Sequence, residues 1–167
     1  MPLPNTIQVP GQPEYLAVND RTRSCWLAGP DGVWQVPMLL DQAPSRYELP
    51  VDWPAQNSIM GLAMTGNPEM PVALLGEDGR VSLCKANDDG QLITMEQIWT
   101  DGTIASIQFN EEGDLMAFGP QEMTLWRRDQ GNWSVTLDHP FANKGITGRS
   151  VMAQSRTNYD AEFHGTE

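Results

Sequence analysis

Cysteine, histidine and basic side chains are all scarce in this sequence, and no apolar run is long. Cys25 and Cys84 are the two cysteines, with no CxxC spacing and no histidine beside either. That excludes a disulfide framework and a thiolate zinc site, and the two read as buried thiols. His139 and His164 stand apart from each other and from both cysteines, so metal-ligand spacing is missing. Asp88-Asp89-Gly90 lacks the alternating ligands and closing Glu of a calcium loop and reads as a hairpin turn. No Gly-x-Ser-x-Gly elbow and no Gly-rich phosphate loop occurs. No cofactor, no metal and no enzymatic activity are therefore expected. Lys and Arg number 10 against 22 Asp and Glu, a net charge of −12. Phosphate backbones and anionic lipid would be repelled, so neither nucleic acid nor a membrane is expected as a partner. No stretch approaches the roughly 18 apolar residues of a membrane helix. The opening MPLPNTIQVPGQP, cut by Pro2, Pro4, Pro10 and Pro13, has neither the basic nor the apolar region of a secretion signal. The expected location is the cytoplasm, or a particle assembled there.

What is present is a chain with a core to bury. Apolar residues make up 40% of 167, and 15 Gly with 13 Pro indicate many turns. The stretch 103–135, TIASIQFNEEGDLMAFGPQEMTLWRRDQGNWSV, predicts strands over 104–109, 115–118, 123–127 and 133–137. Turn residues Glu112-Gly113, Gly119-Pro120 and Gln130-Gly131 separate them, which describes an antiparallel meander. Two earlier stretches repeat it. EYLAVN, SCWLAG and GVWQVPM form one copy, with a fourth strand expected over 47–51. SIMGLAM, MPVALLG, RVSLCKA and QLITMEQIW form the other. LAGPDGVWQV, LLGEDGRVSL and AFGPQEMTLW superpose without a gap, which sets Gly29, Gly76 and Gly119 in one place. A four-stranded unit with a period of about 40 to 50 residues is the pattern of a β-propeller array. The expected fold is all-β, with three consecutive antiparallel four-stranded propeller-like blades. Their copies cover about 14–54, 55–100 and 101–139, preceded by an extended N-terminal arm over 1–13 and followed by a C-terminal arm over 140–167.

The third copy resembles a WD-repeat blade. Its first strand ends in Phe109, NEEGDLMAFG follows, and Leu125-Trp126 matches the apolar-Trp part of the family's closing triplet. Arg127 stands where that triplet has Asp, and the family's Gly-His dipeptide occurs in none of the copies. The resemblance implies propeller-like blades whose two faces each seek apolar cover from a neighbour. Closed propellers typically use four to eight blades, so three leave two outer faces. Self-association into a six-bladed ring, or docking of another protein, would cover them. A compact sandwich without a ring is the alternative.

The C-terminal stretch changes character. PFANKGITGRSVMAQSRTNYDAEFHGTE carries balanced charges, so the whole −12 falls on residues 1–139. Its single apolar residues, Phe141, Ile146, Val151, Met152, Tyr159 and Phe163, are spaced like anchors for separate pockets, the habit of segments that fold on binding. Trp26, Trp34, Trp53, Trp99, Trp126 and Trp133 repeat with the copies, which suits packing between blades better than a sugar-binding face. Three functions fit. The first is a structural or assembly protein of a larger complex, such as a virion or other multi-subunit particle, contacting partners through blade faces and arm. The second is a small acidic inhibitor or immunity protein that neutralises a basic partner. The third is a ligand-binding propeller with a Trp-lined pocket.

Overall fold

In a computed structural model the described residues are 12–19, 23–30, 32–38, 42–140, 147–153 and 162–166, with 138–140 and the last two stretches described as backbone alone. The protein is all-β, and no helix occurs among the described residues. Three four-stranded antiparallel sheets follow one another along the chain, each with its strands in sequence order. The first holds β1 (Tyr15–Asn19), β2 (Ser24–Gly29), β3 (Gly32–Pro37) and β4 (Ser45–Tyr47). The second holds β5 (Ile59–Met64), β6 (Val72–Gly76), β7 (Arg80–Ala86) and β8 (Leu92–Trp99). The third holds β9 (Ser106–Phe109), β10 (Leu115–Phe118), β11 (Glu122–Asp129) and β12 (Asn132–Pro140). In the C-terminal arm, β13 (Thr147–Ala153) and β14 (Glu162–Thr166) pair antiparallel with each other.

Turn chemistry sets the hairpins. Between β11 and β12, Gln130 and Gly131 both take positive φ, 50° and 85°. A two-residue turn of that kind matches the right-handed twist of the strands it joins, which is why Gly follows a polar residue there.

The sheets stack in chain order and touch most closely along their first strands, β1 against β5 and β5 against β9. One core lies between the first and second sheets, where Trp26, Ala28 and Val33 meet Leu62, Val72 and Leu74. The other lies between the second and third, where Ala73, Leu75, Val81 and Leu83 meet Ile107, Phe109, Leu115 and Ala117. The middle sheet is thus covered on both faces. Strand residues alternate between faces, so β6 reads VALLG, apolar at every position, because each of its faces fills a core.

Three expectations are corrected. The fourth strand of the first copy is Ser45–Tyr47 rather than 47–51. Past it the chain turns, with Trp53 N–H donating to the Pro50 carbonyl at 2.9 Å, and Val51 is 92% exposed. The gapless alignment fails in the third strand of the middle copy. Leu27 pairs with Trp34 and Ala117 with Thr124, whereas Leu74 pairs with Ser82, one residue further on. One extra residue in the β6–β7 turn restores the correct face, since a single-residue slip would turn Val81 and Leu83 out of their core. Finally, the first strand of the third copy begins at Ser106 rather than at 104, so Ile104 lies outside the strand's alternation and shares a core with Ile107 and Phe109.

The shared glycine has a physical cause. A Cβ on Gly29 would lie 2.5 Å from the Gln12 carbonyl oxygen, and one on Gly76 would lie 2.5 Å from Asn57 Nδ2. On Gly119 the nearest atom would be the Thr103 carbonyl oxygen, at 3.4 Å. In each sheet, the segment that leads into the first strand passes over the end of the second. At Gly29 the crossing segment is backbone and leaves no room for a side chain, whereas at Gly76 the obstacle is the Asn57 side chain and at Gly119 the contact is an ordinary one.

Candidate interaction surfaces

Cross-strand register decides what each outer face carries. In the first sheet, Leu16 pairs with Leu27 and Leu27 with Trp34, while Val18 pairs with Cys25 and Cys25 with Val36. Paired residues share a face, and this one is opposite to that of Trp26, Ala28 and Val33. The outer face of the first sheet is therefore apolar throughout its first three strands. In the third sheet, Gln108, Met116, Leu125 and Leu137 share the face turned away from the core, with Ser106, Phe118 and Met123 alongside. Exposure on these two faces is uneven: Leu16, Val18 and Leu137 are 62%, 47% and 46% exposed, whereas Trp34, Val36 and Phe118 are buried.

These positions have counterparts inside the molecule. Leu16 and Leu27 stand in register where Leu62 and Leu74 stand in the second sheet and Ile107 and Ala117 in the third. Val18 and Cys25 correspond to Met64 with Val72 and to Phe109 with Leu115. Both sets of counterparts face the preceding sheet and are packed in a core. On the far side, Met116 and Phe118 stand where Ala73 and Leu75, and before them Trp26 and Ala28, face the following sheet. Reading composition alone passes over these surfaces. The alternation in β1 and β10, set beside the aligned copies, marks them.

Where the WD triplet has Asp, the chain builds a different tie. Arg127 donates from Nε and Nη2 to the Asp114 carboxylate at 3.2 and 2.9 Å, joining β11 to the turn before β10. Asn110 Oδ1 accepts from the Asp114 backbone N–H, closing that turn. The guanidinium holds the buried Asp114 carboxyl below its usual pKa. Between sheets, Arg128 Nε donates to Glu96 at 2.8 Å and Trp133 Nε1 donates at 2.9 Å, and Arg128 leads in lowering the Glu96 pKa. A carboxyl with a depressed folded pKa stabilises fully above its unfolded value, near 3.9 to 4.3, and loses that contribution as pH falls through the folded value. Melting temperature should therefore fall as pH drops below about 4. In Asp114→Asn that acid-side fall should be shallower than in the wild type, from a lower starting point. Identical pH profiles for both would show that the tie carries no linkage.

The tryptophans divide between structural roles. Trp26 stacks on Tyr47 at 5.5 Å, and Trp126 and Trp133 pack against the second core. Arg80 lies between Trp53 and Trp99, 5.9 and 4.9 Å from their ring centres, and donates to the Asp52 carbonyl at 2.7 Å. It pins the 50–57 segment to the middle sheet. An open groove of about 520 Å3 runs between residues 50–52 and the edge strand β8, and no tryptophan lines it.

Among the described residues, no three His, Cys, Asp or Glu side chains gather to hold a metal ion, and no helix is long and apolar enough to cross a membrane. Of the expected anchors, Val151 and Met152 lie on β13 and Phe163 on β14, with Met152 opposite Phe163. Phe141, Ile146 and Tyr159 lie outside the described residues. No protein-family model matches the chain, and no curated protein matches it either.

Proposed function

We propose that this chain is a non-enzymatic assembly protein, whose propeller-like stack binds other protein surface through its two outer sheet faces and its C-terminal arm. One observation carries the reading. Leu16 and Val18 are largely exposed, while Leu62, Ile107 and Phe109, at matching register positions, are buried. A repeat array that ends in water carries polar terminal faces, and exposed apolar patches mark contact sites. Photochemical carbene footprinting tests this directly. Leu16, Val18 and Leu137 should label strongly in the dilute purified chain and be protected in its native extract. Equal labelling in both would overturn the reading. Removal of residues 141–167 should leave the melting temperature of the stacked sheets unchanged and weaken that protection.

A second reading has an observation of its own. Arg46, Arg80, Arg127 and Arg128 are all paired with carboxylates within the chain, which leaves the acidic excess without internal balance. That suits an acidic inhibitor or immunity protein directed at a basic partner. Such binding would weaken steeply as salt is added.

A further inference from the structure

The inference here goes beyond the assembly reading above and does not depend on the outer sheet faces. We propose that the open edge of β8 is a peptide-binding site, which takes an extended basic segment of another protein as an added parallel strand of the middle sheet.

The ladder for that strand has already begun. Beyond β4 the chain comes alongside β8, where Glu48 and Gln91 form a parallel bridge. Glu48 N–H donates to the Gly90 carbonyl at 2.8 Å, and Leu92 N–H donates to the Glu48 carbonyl at 2.9 Å. The next step of such a ladder needs residue 50 to donate to the Leu92 carbonyl and to accept from Thr94 N–H. Pro50 has no N–H, and its carbonyl accepts from Trp53 instead. The ladder therefore stops after one bridge, and residues 50–52 stand off from β8 as the far wall of the groove. On β8 itself the pattern continues. Leu92 points its N–H away from β7, so Thr94, two residues on, turns its backbone the same way. Among the described residues no backbone group answers Thr94 there, and the Leu92 carbonyl is reached by the Gln91 side chain alone, at 3.4 Å.

The groove has the length and the charge for one strand. From Leu92 to Gln97 it follows β8 for about 17 Å, at roughly 3.4 Å per residue. The bulge at Met95 bends the edge within that span, so the regular contact is short. No lysine or arginine lines the groove. The Asp52 carboxylate accepts from Thr94 Oγ1 and Gln97 Nε2, both at 2.9 Å, yet stays half exposed. Glu96 also lines the groove, with its carboxylate held by Arg128 and Trp133. A cationic side chain on the added strand would lie beside Asp52, and its apolar neighbours over the partly exposed Ile93 and Met95. A second copy of this chain fits less well. A continuous sheet across a twofold axis runs antiparallel, against the direction that Glu48 sets, and each copy would bring its own 50–52 wall into the other's groove.

Amide hydrogen exchange and peptide titration of the full chain test the site, with a blocked hexapeptide of alternating lysine and valine as the probe. In the dilute chain the Thr94 amide should exchange freely and the Leu92 amide slowly. Saturating peptide should slow Thr94 by about tenfold or more, the equivalent of one or two net backbone hydrogen bonds. The same peptide methylated on alternate amides, made in both registers, should bind about tenfold more weakly in at least one of them. Thr94→Pro removes the outward donor and none of the bonds to β7, and should weaken binding by a similar factor. Asp52→Asn still accepts from Thr94 Oγ1 and should weaken the lysine peptide severalfold while leaving a serine–valine peptide unchanged. A Thr94 amide already protected in the dilute chain means that the chain fills its own edge. Protection that grows with chain concentration alone means that a second copy does. Either result overturns the proposal. Equal binding of both methylated peptides overturns strand addition, and an Asp52→Asn chain that holds the lysine peptide as tightly as the wild type overturns the basic partner. If Thr94→Pro is unfolded by circular dichroism, the methylated peptides and the Thr94 exchange rate decide.

Discussion

Leu74→Ala and Leu75→Ala should each lower stability by about 2–5 kcal/mol, and together they should leave the chain unfolded or nearly so at room temperature. Both side chains are fully buried, but Leu74 fills the core shared with the first sheet and Leu75 the core shared with the third. Two cavities therefore open on opposite sides of β6 with no common neighbour to collapse into both. The losses should add, reaching about 4–10 kcal/mol against a total near 5–15 kcal/mol for a domain of ordinary size. Urea titration of the wild type, both single variants and the double variant measures this. A double variant little worse than the worse single one would mean that the two cores are not independent, and the stack described here would be wrong.

The three matched glycines should give a graded series when each is changed to alanine. Gly29→Ala puts a methyl 2.5 Å from the Gln12 carbonyl oxygen and 3.2 Å from Pro13 Cα, both backbone atoms that move only with the chain. A loss of about 1–3 kcal/mol is expected, the usual range for forced backbone shifts. Gly76→Ala meets the Asn57 side chain, which can swing aside, but that costs the hydrogen bond from the Asp78 N–H to Asn57 Oδ1. Its loss should be smaller, near 1 kcal/mol. Gly119→Ala meets its nearest atom at 3.4 Å, and neither neighbour needs to move far. It should be within about 0.5 kcal/mol of the wild type. Thermal unfolding ranks the three, and a series in the reverse order would refute the account of why the glycine recurs.

Much of this architecture is legible in the residues. Strong alternation bounded by Gly turns places β5 to β11 within a residue or two, as with RVSLCKA for β7 and Leu115–Phe118 for β10, while β12 runs three residues past its expected end. The misses have physical causes. Tyr47-Glu48-Leu49-Pro50-Val51 looks like a strand by composition, yet Pro50 cannot donate to a ladder, and the chain turns there instead. The extra residue in the β6–β7 turn was hidden because Gly76 and Gly79 keep the same spacing as Gly29 and Gly32. Only pairing shows which turn residue is surplus. That three copies leave two outer faces is legible in the repeat, but which residues line them is not, because Leu16 and Val18 resemble any half-buried strand positions until their register partners are known. The Arg127 to Asp114 tie was out of reach for a related reason, since the Asp that answers the arginine lies 13 positions back, across a strand.

A sheet that needs neighbours on both sides also has a schedule. As the chain is synthesised, the VALLG strand is complete at Gly76, but Trp126, among the last residues to cover its far face, comes 50 positions later. At about 5–20 residues per second, that face stays uncovered for some seconds. During that interval a β-prone apolar strand, guarded only at its ends by Pro71 and by Glu77-Asp78, sits next to every other nascent copy. Crowded polysomes should be where this protein aggregates first, and slower elongation between codons 77 and 126 should lengthen the hazard.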